Sequence, residues 1–238
     1  MKQRIWELDA LRGICILIMA GVHFVFDLSE FVGFRQLLTS PVFSTLMNHG
    51  GILFVLLSGL CATLGSRVLK RGFAVFACGM LCTAVTWGMF RLDFLGSDLV
   101  VRFGILHCLG LCMLLWTLFR QLPPGFLAGI GAILVAAGIY ATGIPVSVPY
   151  LFPLGLVTDN FTSGDYFPLL PYFGWFLIGG FLGKILYPAK RTLLPGVNPD
   201  QPVLKFLRFC GTHSLEIYLV HQPVIFLIIS VLTLIWEV

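Results

Sequence analysis

Seven stretches of this chain are apolar enough, and long enough, to demand a membrane. They lie at 5–28, 50–68, 73–90, 103–118, 126–141, 167–186 and 209–236. A helix crosses the hydrocarbon core, roughly 30 Å thick, with about 20 mostly apolar residues. No water in that layer satisfies a backbone amide, so each run is expected to close its hydrogen bonds within itself as a helix. Only 11% of the residues are charged and 58% are hydrophobic; a soluble domain is about one quarter charged. The expected fold is all-α, a polytopic transmembrane helix bundle of about seven spans forming one domain over residues 1–238. The fourth run is short for a span unless it begins near Val100. The last exceeds one, so it is expected to tilt or to extend past the membrane.

With the N-terminus in the cytoplasm, twelve of the fifteen Lys and Arg residues fall inside, and only Arg35, Arg91 and Arg102 fall outside. That asymmetry predicts N-terminus in and C-terminus out. Two outer connections, 29–49 and 143–166, are longer than turns and are expected to shape a site. The cytoplasmic stretch 188–204 reads as a linker. The net charge of +4 requires no nucleic-acid partner. All seven cysteines lie in or beside apolar runs without a C-x-x-C pair. They are expected to be small apolar fillers, neither disulfides nor metal ligands.

The first run carries Asp9, Arg12, His23 and Asp27, although an ionisable side chain at a helix centre costs about 2.5–3.5 kcal/mol. At about 100° per residue all four fall within about 60° of one face, and the stripe they form is about 27 Å long. A continuous polar face on an apolar helix is expected to meet a cavity or another polar helix. Asp9 and Arg12, three apart, can pair and so lower the cost of burial. Arg12 can equally hold a phosphate or carbonyl oxygen.

The histidines follow the same logic. His49 sits at the outer mouth of the second run, His107 in the outer part of the fourth, and His221 in the middle or outer half of the seventh. His213 lies nearer the cytoplasmic edge. Tyr218 and His221 share a face with Ser214. His23, His49, His107 and His221 are expected to converge in the outer half of one bundle. A zinc site is not expected, because no H-E-x-x-H or H-x₃₋₅-H pair occurs. Histidine titrates near neutral pH and suits proton abstraction from an amine or hydroxyl. Asp27, one turn from His23, is the nearest carboxylate to hold its ring. Arg67, Lys70 and Arg71 form a basic cluster after the second run. It reads either as the cytoplasmic charge bias alone or as a landing site for a phosphorylated donor.

The segment LDALRGICILIMAGVH resembles the first span of the heparan-α-glucosaminide N-acetyltransferase catalytic-domain family, in its short bacterial form. HGGILFVLLSG, FGILHCLG, SGDYFPLLPYFGWFLIGG and SLEIYLVHQPV follow in family order and extend the likeness over nearly the whole chain. Arg12, ten residues and His23 also resemble the first-span motif of the acyltransferase-3 family. The resemblance implies transfer of an acetyl or other acyl group from cytoplasmic acyl-CoA to a sugar or glycan amine or hydroxyl outside, across a bacterial cytoplasmic membrane. Acetyl-CoA or another acyl-CoA is then the donor, with no metal. His23 is expected as base or acyl carrier. His49 is the other histidine considered for that role, and Asp9 supports Arg12. Arg12, Arg67, Lys70 and Arg71 are expected to hold the donor, and Asp27, His107, Asp165, Tyr218 and His221 to line the acceptor side. The lipid bilayer is a partner, and a homo-oligomer is compatible with the sequence. The contrasting reading is a proton-coupled transporter using the same His and Asp residues as a relay. The lack of an internal repeat counts against it.

Overall fold

A computed structural model describes residues 4–33, 39–142, 144 and 146–236. Lys2 and Arg35 of the charge count lie outside these, as do 34–38, 143 and 145 of the outer connections. The helices are α1 (Trp6–Val32), α2 (Pro41–Leu64), α3 (Val68–Arg91), α4 (Ile105–Phe119), α5 (Pro124–Ala141), α6 (Leu169–Leu186), α7 (Pro202–Thr212) and α8 (Ser214–Trp236), with a 3₁₀ turn at Pro149–Leu154. Proline opens α2, α5 and α7, where its missing N–H has no intrahelical partner to lose and its fixed φ already suits a helix. Gly33 ends α1 at φ +88°, the left-handed geometry that a glycine accepts without a Cβ clash.

Among the described residues, six helices are long and apolar enough to cross a membrane, and α4 is a shorter apolar helix of 15 residues. All seven expected runs are thus helical, but their ends differ. The first outer connection is largely helix, because α1 and α2 both extend into it. The seventh run is broken at His213, so residues 209–212 end α7 and α8 carries the rest of the run.

The chain sorts into two compact units, residues 1–54 with 190–238, and residues 55–189. In the first, α7 and α8 both pack on α1. A Cβ added at Gly13 would strike the Leu207 carbonyl, and one at Gly211 the Asp9 carbonyl. The two backbones therefore touch, with α7 antiparallel to the start of α1. Small residues permit such an approach where lipid supplies no hydrophobic drive. Glu7, buried, accepts the Thr192 hydroxyl (2.8 Å) and the Leu193 N–H (2.8 Å), which ties the linker to the start of α1.

In the second unit α3 packs on α4, α5 on α6, and α4 on α6. At about 1.5 Å per residue α4 is only about 22 Å long. It is the buried helix of this unit, with Leu106, His107, Cys108, Leu109, Cys112 and Trp116 all inside. Of the irregular chain just before it, Val100 and Phe103 are buried in protein, whereas Leu92, Phe94 and Leu99 are exposed. Val100–Phe103 runs beside Gly164–Phe167: Gly164 N–H donates to Val100 O (3.2 Å) and Phe167 N–H to Phe103 O (2.9 Å). Tyr166 donates its hydroxyl to Phe152 O (2.6 Å), and burial pushes that hydroxyl up to about 12, so it stays a donor at any physiological pH. Lys184 at the end of α6 donates to the Arg120 and Leu122 carbonyls (2.8 and 2.6 Å), closing the C-terminal end of α4.

The tightest crossing in this unit joins residues 55–64 of α2 to α6, where Gly59 faces the Phe176 carbonyl and Gly179 the Leu56 carbonyl. Backbone cannot move aside as a side-chain tip can. Gly179→Leu is expected to lower stability by about 1–3 kcal/mol or more, read as an earlier thermal unfolding transition in detergent. Gly129→Leu, where an added Cβ meets nothing within 4 Å, is the matched control.

Candidate functional site

The polar face of α1 meets partners along most of its length. At the start, Arg12 donates through one terminal nitrogen to Asp9 Oδ1 (3.3 Å) and to the Gly211 carbonyl of α7 (3.4 Å). Side-chain exposure is 19% for Arg12 and 12% for Asp9, so this ion pair is mostly out of water. A guanidinium has five N–H donors, and the remaining nitrogens of Arg12 make no hydrogen bond among the described residues.

Three turns further on, His23 Nδ1 lies 2.9 Å from His221 Nε2 on α8. The rings stack, with centroids 5.0 Å apart and planes 24° from parallel. His221 Nδ1 in turn meets the Tyr218 carbonyl of its own helix. A carbonyl oxygen only accepts, so His221 Nδ1 carries the hydrogen of that bond. One turn above His23, the buried Asp27 accepts from Gln222 Nε2 at 2.7 Å. Asp27 was the sequence's choice to hold the His23 ring; His221 does so instead, because the rotation of α8 gives Asp27 to Gln222.

The expected convergence of four histidines is met for His23 and His221. His49 is exposed and donates from Nδ1 to the Thr45 carbonyl one turn back (3.2 Å); no described hydrogen bond links it to the other histidines. His107 and Asp165 lie together in the second unit, at the start of α4. Gly104 N–H donates to His107 Nδ1 (3.2 Å) and Ile105 N–H to Asp165 Oδ2 (2.9 Å). His107 Nε2 meets Thr83 Oγ1 (3.2 Å), whose hydroxyl goes to the Val101 carbonyl (2.7 Å). These groups satisfy the first amides of a buried helix, which have no intrahelical acceptor. The Tyr218 ring lies tilted beside His221, with centroids 5.2 Å apart and planes at 54°. Arg67, Lys70 and Arg71 are exposed at the start of α3.

The buried Glu7 and the exposed Gln222, which reaches Asp27, are partners that the spacing of the charged residues does not reveal. A glutamine inside an apolar run, directly after a histidine, was the signal for Gln222. Among the described residues no three His, Cys, Asp or Glu side chains gather as a metal ion would need.

Taken together, the apolar helices and the hydrogen-bonded polar line on the first of them define an integral, multi-pass membrane protein with ionisable chemistry inside its bundle. A family model described as "Heparan-alpha-glucosaminide N-acetyltransferase, catalytic" matches residues 4–223, and the chain belongs to that family. It is thereby a transferase of the membrane acetyltransferase type. No curated protein and no solved structure matches it.

Proposed function

We propose that residues 1–238 form one acyltransferase domain of a bacterial cytoplasmic membrane. It moves an acetyl or other acyl group from cytoplasmic acyl-CoA to an amine or hydroxyl of a sugar or glycan outside. A CoA thioester is hydrophilic and stays on the side where it is made, so the chemistry needs a polar path through lipid. The observation that carries this reading is the polar line on α1. It starts at the Asp9–Arg12 pair and ends at a hydrogen-bonded His23, about 16 Å further along by helix rise.

His23 acts as general base. As the acceptor's N or O bonds to the thioester carbonyl, His23 takes the acceptor's proton; as the C–S bond breaks, the proton passes to the departing thiolate, giving CoA thiol. Arg12 directs its open N–H donors at the donor's phosphate or carbonyl oxygen. Asp9 holds Arg12 in place, and Tyr218, Asp27 and His49 serve the acceptor side. His107 and Asp165 hold the start of α4 in place. The test is CoA thiol release by purified protein in proteoliposomes, offered acetyl-CoA and a panel of amino sugars and neutral oligosaccharides. Release that requires the sugar supports the transferase; labelled sugar accumulating without thiol release identifies a transporter.

Arg67, Lys70 and Arg71 receive the CoA phosphates. Exposed charge pairs contribute little singly, so neutralising all three to Gln is expected to weaken acetyl-CoA binding by about tenfold, and more at low salt. Unchanged affinity by calorimetry leaves the cluster as orientation charge alone. The C-terminus is expected outside: a C-terminal reporter active only in the cytoplasm stays dark, and a bright one reverses every later loop.

A further inference from the structure

We infer that His221 is a positioning residue that fixes the His23 tautomer, leaving Nε2 of His23 as the one basic ring nitrogen. The inference rests on the acyltransferase reading for its consequence but not for its geometry.

The chain of bonds permits one arrangement of neutral rings. The Tyr218 carbonyl accepts from His221 Nδ1–H. A neutral imidazole carries one hydrogen, so His221 Nε2 is a bare acceptor. The atom 2.9 Å from it, His23 Nδ1, must then be the donor, and His23 Nε2 is left with its lone pair. That nitrogen has no hydrogen-bond partner among the described residues, and no polar side-chain atom that is fully buried goes without one. It is therefore an open lone pair on a half-buried ring. No carboxylate is needed, since Asp27 is engaged by Gln222. Pro223, two residues after His221 inside α8, removes an N–H and so frees the Leu219 carbonyl next to Tyr218, loosening the helix where the relay is built.

When Nε2 takes the acceptor's proton, the imidazolium keeps Nδ1–H on His221 Nε2. The donor of that bond is then charged, which strengthens it. Both rings keep their positions, and one proton enters and leaves through one atom. Without His221, His23 is free to place its hydrogen on Nε2, which blocks the base. A wrong tautomer of this kind costs a serine-protease triad about 10⁴ in kcat.

The experiment is ¹⁵N and ¹³C NMR of histidine-labelled full-length protein in lipid, with His23 assigned by its absence in His23→Gln. Wild type is expected to give His23 the Nδ1–H signature. His221→Leu should shift it to Nε2–H and lower kcat on the order of 10²–10⁴-fold with the acetyl-CoA KM unchanged. His221→Gln, whose amide oxygen accepts from Nδ1–H, should restore the signature and much of the rate. An Nε2–H signature in wild type overturns the inference without any variant, as does a signature that ignores His221→Leu. A signature that follows His221 while kcat ignores both His221→Leu and His23→Ala upholds the relay and removes His23 as the base.

Discussion

Replacing His23 with alanine is expected to slow acetyl transfer on the order of 10²–10⁴-fold, with the protein still inserted and monodisperse. Among the described residues the ring's hydrogen bond is to His221 and its other nitrogen has no hydrogen-bond partner, so truncation removes the chemistry and the ring stack on His221. The unpaired His221 Nε2 left behind costs about 1–3 kcal/mol at most. Thiol release under saturating acetyl-CoA and acceptor reads the loss directly. His49→Ala is the comparison. Among the described residues its exposed ring bonds locally to Thr45, so the variant is expected to raise acceptor KM and spare kcat. The reverse pattern, with donor binding intact in both, transfers the role of base to His49.

Arg12→Leu is expected to act on both stability and activity. It leaves Asp9 as an uncompensated carboxylate with 12% of its side chain exposed. Breaking a buried pair from one side costs about 3–5 kcal/mol; here residual solvent holds the loss near the low end. Adding Asp9→Asn removes the stranded charge and should recover most of the thermal stability. Acetyl-CoA binding should not recover, because the open guanidinium donors are still missing. If the double variant regains both, Arg12 is a structural ion and the donor is held elsewhere.

Much of this arrangement is written in local spacing. Asp9 and Arg12 are three apart on a helix, and they pair. The polar face from Asp9 to Asp27 follows from 3.6-residue periodicity and meets α7 and α8 as a polar face should. Membership of the acetyltransferase family was legible in five ordered motifs. What spacing does not encode is how a distant helix is rotated. His221 and Gln222 are neighbours in sequence, and which of them meets His23 and which Asp27 depends on the azimuth of α8. The break at His213 falls in the small polar stretch Gly211-Thr212-His213-Ser214, which the long apolar run on either side masks. The shortness of α4 was legible, but not its reason: Asp165 and His107 supply acceptors to its first amides, from a loop sixty residues away and from the helix itself.

The polar line has a further consequence for how the protein is made. Translation runs at about 5–20 residues per second. His221 lies 198 residues after His23, Gln222 lies 195 after Asp27, and Gly211 lies 199 after Arg12. The nascent first helix therefore waits about 10–40 s before its partners exist. Arg12 and Asp9 do not wait, since they are three residues apart on the same helix. Arg12 and Asp9 thus neutralise each other as the helix leaves the ribosome, while Glu7, His23 and Asp27 remain to be covered by groups made later. Insertion of the first span and assembly of the finished site are in this way separate events, and the Asp9–Arg12 pair serves the earlier of the two.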